Sequence, residues 1–258
     1  MTEYTIVHDA AELLKPTEST VARIEDAAVA ISGGTVVASG PNDAVTREYP
    51  PENAAGAIDA SGKVVLPGFV DSHTHAIFAG DRSGEFTAKL EGKSYREIRD
   101  EGGGILRTVE AVREASTAEL VEGLLARLDE MVAHGTTTAE VKSGYGLSVE
   151  GERKLLEAIE AAANRHPIDV VPTFMGAHDV PEGSDADEYV EEVVDAQLPE
   201  VADLAEFCDV FCEAGVFTVE QSRRVLEAGA DAGLTPKIHA EEFERTGGAR
   251  LAADVDAA

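Results

Sequence analysis

The chain has 258 residues, and its 50 Asp and Glu against 21 Lys and Arg give a formal net charge of −29. That balance excludes a nucleic-acid coat or an anionic-membrane binder, because a phosphate-rich surface would meet repulsion rather than release counterions. With 43% hydrophobic residues the sequence is too apolar for a disordered acidic tail and can bury a core.

Lysine is scarcer than arginine, 7 against 14, and tryptophan is absent. Such a surface repels itself at low ionic strength and is screened at molar salt, which reads as a salt-adapted cytoplasmic protein. The start, MTEYTIVHDAAELL, has no basic segment followed by an apolar run. Nor does any stretch approach the roughly 18 apolar residues of a span, so neither an export signal nor a membrane segment is expected.

Residues 1–62 read as short strands with turns: TIVHDA, then AAVAIS and TVVASG on either side of Gly33 and Gly34. A Gly-Gly pair between alternating apolar runs is a hairpin signal, and a small, incomplete β domain is expected here. From Lys63 to the end, apolar runs alternate with amphipathic helices, the pattern of a parallel α/β domain. Five strand candidates follow in order, over 64–75, 136–144, 169–178, 208–217 and 235–243. Ser116 with Glu119 and Thr218 with Gln221 form capping boxes, and Gly135 and Gly233 sit where helices should end.

The last four strand starts lie 33, 39 and 27 residues apart. Eight such units would need about 100 residues more, so the expectation is an incomplete (β/α) TIM-like barrel with five of eight units. No G-x-G-x-x-G follows any strand, which weighs against a doubly wound dinucleotide fold. Cys208 and Cys212 fall in one apolar strand candidate. Four residues of strand span about 13 Å, too far for a disulfide, so buried free thiols are expected.

Polar and imidazole groups gather at the carboxyl ends of the strand candidates, the face on which barrels assemble active sites. His73 and His75 end the first strand, Lys142 and Tyr145 lie at or past the second, and His178 closes the third. Glu213 lies late in the fourth, and His239 and Glu242 late in the fifth. An H-x-H pair on a strand puts both imidazoles on one face, where they can share a divalent ion. His239 is a third ligand candidate on the same logic. Glu242 and Glu241 compete for the role of proton acceptor: alternation favours Glu241, a turn at the strand end favours Glu242, and spacing does not choose. Arg82, just past the first strand, is either a surface partner of Asp81 or Glu85 or a bidentate fork for an anionic substrate. His8, His134 and His166 read as structural or surface residues.

Together LPGFVDSHTHAIFAGDR (66–82), GGGIL (102–106), EVKSGYGL (140–147), TFMGAHDVP (173–181), DVFCE (209–213) and KIHAEEF (237–243) resemble the imidazolonepropionase family of the amidohydrolase superfamily. H-x-H is common to the superfamily, whereas KSGYGL and GAHDVP are particular to this family. The resemblance implies a barrel of the amidohydrolase type and metal-dependent opening of the cyclic amide of 4-imidazolone-5-propanoate to N-formimidoyl-L-glutamate, in histidine breakdown. It implies one zinc or iron ion on His73, His75 and His239, substrate contacts from Arg82, Tyr145 and His178, and Glu242 as the carboxylate that activates water and touches substrate.

Family members continue through three further strands that bring a histidine and an aspartate ligand, so the 258-residue chain is expected to turn over slowly and to expose strand edges that a homodimer could cover. Its partners are then a small anionic substrate, with no nucleic acid and no membrane. Two other readings stand beside this one: a related amidohydrolase that deaminates a heterocycle, which would not need Arg82, Tyr145 and His178, and a non-catalytic product.

Overall fold

The computed structural model describes residues 3–17, 19–94, 97–98 and 101–258. Contacts divide the chain into two units, Met1–Gly68 and Phe69–Ala258. In the first, β1 (Thr5–Pro16), β2 (Val21–Ser32) and β3 (Thr35–Pro41) form an antiparallel run. Gly33 and Gly34 make the β2–β3 turn at φ of +56° and +77°, which a two-residue hairpin between right-twisted strands requires. A short helix, α1 (Asn42–Glu48), is a feature the strand-and-turn reading did not contain. Its seven residues are too few for a periodic signal, yet Val45 buries against Ile6, Ala28 and Ala30 and closes one face of the sheet.

The strand expected over 64–75 is two pieces. Pro67 fixes φ and has no N–H to give to a ladder, and the chain breaks there into β5 (Val64–Val65) and β6 (Phe69–Asp71). Strand β5 runs parallel to β1, as does β4 (Gly56–Asp59). Residues 63–68 therefore belong with the first unit, six residues past the boundary expected at 62.

The second unit is a curled parallel sheet of β6, β7 (Thr136–Lys142), β8 (Asp169–Ala177), β9 (Phe207–Cys212) and β10 (Thr235–Ala240). Its spatial order is the chain order. A doubly wound sheet would reverse that order at a switch point, so the sheet is a five-stranded arc of a barrel. Its helices are α2 (Ser83–Leu90), α3 (Ile105–Glu114), α4 (Thr117–Ala133), α5 (Val149–Ala163) and α6 (Ala186–Glu192). A turn of helix at Leu198–Val201 follows as α7, then α8 (Val219–Asp231) and α9 (Gly248–Asp254).

Both capping boxes form as expected, Ser116 with Glu119 on α4 and Thr218 with Gln221 on α8. Leu120, Leu124 and Leu128 recur every four residues on α4 and pack in one core with Leu155, Leu156 and Ile159 of α5. Strand β7 alternates: Ala139 and Val141 join that core, while Glu140 and Lys142 lie on the opposite face. That inner face, ending at the carboxyl ends of the strands, is where the functional side chains meet. Cys208 and Cys212 are free and buried, and burial pushes the Cys208 thiol up, away from nucleophilic use. Among the described residues no helix is long and apolar enough to cross a membrane.

Candidate metal centre

His73 and His75 lie just beyond β6 rather than on it, in a segment tied to β7. The Lys142 N–H donates to the Thr74 carbonyl at 3.1 Å and the Thr74 hydroxyl donates to the Glu140 carbonyl at 2.6 Å. Anchored at the residue between them, the two imidazoles line one cavity, His75 half-buried and His73 exposed. His239, on β10, meets them there. The three residues each offer a nitrogen, and these nitrogens lie within 4.8 Å of one another. His75 Nε2 and His239 Nε2 face each other at 3.1 Å.

Burial, with His178 and His239 alongside, pushes the His75 imidazolium down to about 2, so its ring is neutral at ordinary pH. His73 is also lowered, by burial and by His239. His239 Nδ1 lies 3.0 Å from Asp209 Oδ1. A carboxylate only accepts, so Nδ1 carries the proton and a neutral ring presents Nε2 bare. A carboxylate behind an imidazole is the usual support of a metal-binding histidine. The donor set therefore fits a divalent cation: three imidazole nitrogens converge, and one ring is held from behind by a carboxylate.

Asp209 itself was not singled out in the sequence, nor was Glu140. Burial alone would raise the Asp209 carboxyl, but His239 and Lys142 beside it hold it well below the usual carboxylate range. Lys142 Nζ is 2.6 Å from Glu140 Oε1 and 2.7 Å from Asp209 Oδ2.

Past β10, Glu241 has a φ of +60°, a left-handed conformation that costs a non-glycine residue about 1–2 kcal/mol. The chain turns there. Glu241 reaches away to accept from the Gly247 N–H at 3.2 Å, and Glu242 lines the cavity with the three histidines. Glu213, buried just past β9, fixes this turn: it accepts N–H bonds from Ala214 at 2.8 Å, Phe243 at 3.0 Å and Glu244 at 3.2 Å. Burial would raise its carboxyl, but these backbone donors outweigh it and the group is lowered.

The cavity holds about 500 Å³ and is lined by His73, His75, His178, His239, Glu242 and Arg82. Tyr145 lines an adjoining cavity of about 620 Å³, which shares His75 and Arg82 with the first. The Tyr145 ring lies 5.1 Å from the His178 ring and 5.9 Å from that of His75. His178 is buried and its Nδ1 lies 2.8 Å from the Gly144 carbonyl. Nδ1 must donate, and burial pushes this imidazolium down to about 4, so Nε2 is an acceptor. Arg82 Nε and Nη2 donate to Glu85 Oε2 at 3.0 and 2.9 Å, the ion pair foreseen as its alternative role. Glu85 is fixed in turn by the Gly104 N–H at 2.9 Å. Arg82 is thus held in the lining of both cavities.

The loop bearing Tyr145 hangs on Glu152, a fully buried carboxylate that sequence reading passed over. It accepts from Gly144 N–H at 2.8 Å, Gly146 N–H at 2.8 Å and Leu147 N–H at 2.9 Å. Gly146 meets α5 so closely that a Cβ there would sit 2.2 Å from the Gly151 carbonyl carbon. Of the remaining histidines, His134 ends α4, where its Nδ1 donates to the Glu130 carbonyl, and His166 contacts Asp129.

Comparison with known proteins bears on the fold and on the motifs. The sequence pattern described as the amidohydrolase family matches residues 56–94. A triazine hydrolase from Arthrobacter aurescens superimposes on 98% of this chain and 55% of its own at a TM-score of 0.67 and 18% identity. An atrazine chlorohydrolase of the same species, complexed with zinc, gives 0.59 at 18% identity over 97% of this chain and 55% of its own. The chain has the amidohydrolase fold. By sequence it is similar to the imidazolonepropionase of Haloarcula marismortui, 66% identical over 236 residues that make up 91% of this chain and 56% of the relative. The imidazolonepropionase of Halobacterium salinarum is 62% identical over 256 residues, 98% of this chain and 61% of the relative. The resemblance carried by the motifs is therefore borne out, and the chain spans about three fifths of the length of these curated relatives.

Proposed function

We propose that the chain carries the metal-binding and substrate-contacting part of an imidazolonepropionase, hydrolysing the cyclic amide of 4-imidazolone-5-propanoate to N-formimidoyl-L-glutamate. The observation that carries this reading is the convergence of His73, His75 and His239 beside Glu242 in one cavity. His73, His75 and His239 would hold one zinc or iron ion, which when bound supplies Lewis acidity that eases the deprotonation of water.

The chain's own groups have these tasks. Glu242 takes a proton from the attacking water as its oxygen adds to the ring carbonyl, and returns it to the ring nitrogen as the C–N bond breaks. His178, protonated at Nδ1, accepts a hydrogen bond from a ring N–H at Nε2. Tyr145 closes the far side of the ring site. Arg82 forks the propionate, its plane set by Glu85. The formal charge of −29 suits a salt-adapted cytoplasmic enzyme. Exposed Phe69 and Val70 on edge strand β6 support pairing with further strands or with a second copy.

The test is zinc titration of the purified chain, followed by loss of imidazolone absorbance in the chain alone and in one extended with a relative's remaining segment. The expected result is one zinc per chain, lost in His73→Ala/His75→Ala, with turnover in the extended form. Arg82→Ala in that form raises KM at least tenfold, a charged hydrogen bond being worth about 1.5–3 kcal/mol. Absence of zinc binding would defeat the reading.

A further inference from the structure

Beneath the three histidines the inner face of the arc holds charges that the proposed reaction does not use. Lys142 is fully buried, Asp209 is 1% exposed and Glu140 is 3% exposed. Lys142 Nζ bridges Glu140 Oε1 at 2.6 Å and Asp209 Oδ2 at 2.7 Å. The other oxygen of Asp209 receives His239 Nδ1–H at 3.0 Å. Glu140 Oε1 also accepts from the Thr173 hydroxyl at 2.5 Å and lies 3.1 Å from Lys237 Nζ. Lys237 donates to the carbonyl of Ser72 at 3.0 Å, one residue before His73. Two ammonium groups and two carboxylates thus sum to zero formal charge and reach both segments that carry the histidines.

Stability alone does not account for such a cluster. Burying charges costs several kcal/mol per ion, and well-packed apolar side chains in their place are often as stable or more so. What the cluster adds is direction. A carboxylate with one oxygen on an ammonium and the other on an imidazole N–H cannot rotate about its Cβ–Cγ bond without breaking both bonds.

We infer that Lys142 is a positioning residue of the candidate metal centre: by holding Asp209 Oδ2 it aims Oδ1 at His239 and fixes that imidazole with Nδ1 protonated and Nε2 bare toward the site. The inference rests on the metal-centre reading proposed above. It separates Lys142 from a merely structural residue, because a structural role ends once the buried charges balance, whereas a positioning role needs the ammonium itself.

Lys142→Met alone would leave Asp209 Oδ2 without a donor and the cluster one charge short, so the informative variant is Glu140→Gln/Lys142→Met, which removes one charge of each sign. In the 258-residue chain, zinc affinity measured by competition with a chelating dye falls about 10–100-fold, the usual effect of losing the support behind a histidine ligand, while the melting temperature and near-ultraviolet circular dichroism stay close to the parent's. Long-range 1H–15N spectra of histidine-labelled protein without metal show the His239 ring, assigned by its loss in His239→Gln, as the Nδ1–H tautomer in the parent and as a mixture in the variant. A folded variant with the parent's tautomer, binding zinc within twofold of the parent, overturns the role of Lys142 and leaves the metal centre standing. A parent chain that binds no zinc overturns both. An Nε2–H tautomer of His239 in the parent overturns the inference outright; should the double variant not fold, Lys142→Met, which leaves Glu140 on Lys237 and Thr173, is read in its place, a mixed His239 tautomer upholding the inference and the parent's tautomer overturning it.

Discussion

Replacing Glu152 by Gln tests how the Tyr145 loop is held. The carboxylate is fully buried, and its two oxygens take three backbone N–H groups, Oε2 from Gly144 and Oε1 from Gly146 and Leu147, at 2.8–2.9 Å. An amide of the same shape has one oxygen. With that oxygen on Gly146 and Leu147, its NH2 is turned on the Gly144 N–H, donor against donor. The variant loses one charge-assisted hydrogen bond, worth about 1.5–3 kcal/mol, and weakens two more; the orphaned N–H adds about 1–3 kcal/mol. A total near 3 kcal/mol is expected. In a unit of this size about 1 kcal/mol moves the melting temperature by roughly 2–4 °C, so the variant melts about 6–12 °C below the parent. Hydrogen exchange at the Gly144, Gly146 and Leu147 amides quickens more than in the α4 core, because their acceptor is what changed. Scanning calorimetry and exchange mass spectrometry check both. A melting temperature within about 2 °C of the parent's, or exchange unchanged in this loop, refutes the reasoning.

Glu213→Gln loosens the turn that presents Glu242, and its effect depends on pH. The folded carboxyl is lowered below its ordinary value, so its contribution to stability is full above the unfolded pKa near 4.3 and is lost as pH falls through the folded value. The melting temperature gap between parent and variant should shrink from about pH 6 to about pH 3; a constant gap in urea or heat denaturation contradicts this. The charge of −29 predicts a melting temperature that rises as salt goes from about 0.1 M to 1 M and the Debye length falls from about 10 Å to 3 Å, and thermal scans at fixed pH that stay level across this range disprove salt adaptation.

Much of the fold was open to sequence reading because its signals are local. The capping boxes at Ser116 and Thr218, the Gly33–Gly34 hairpin and the apolar strand cores each lie within a few residues of the feature they specify. The H-x-H pair was legible too, although it works beyond the strand end, tied by Thr74, rather than within the ladder. Asp209 was not legible, because it looks like a lone charge in an apolar strand until the neighbouring strand is laid beside it, and Glu140 was not, because Thr173 and Lys237, which join it to the cluster, come from other strands. The register sets Lys237 opposite Asp209 and His239 opposite Phe211. Asp209 then sits two positions from His239 on the same face, a diagonal its carboxylate can bridge. Glu152 escaped for the same reason, since its partners are backbone groups of a loop that only folding places over α5.

The carboxylate that reaches the cavity is decided by one backbone angle. Alternation along β10 would give the inner face to Lys237, His239 and then Glu241. At Glu241 the chain adopts φ of +60° and the period ends, so Glu242 takes the inward place and Glu241 the Gly247 N–H. A left-handed glutamate costs about 1–2 kcal/mol and persists only where neighbours over-determine it. Here the Glu213 carboxylate supplies that determination through the Phe243 and Glu244 amides. The strain is therefore not a defect of the strand end. It is the means by which a buried acid one strand away chooses which of two adjacent glutamates faces the histidines.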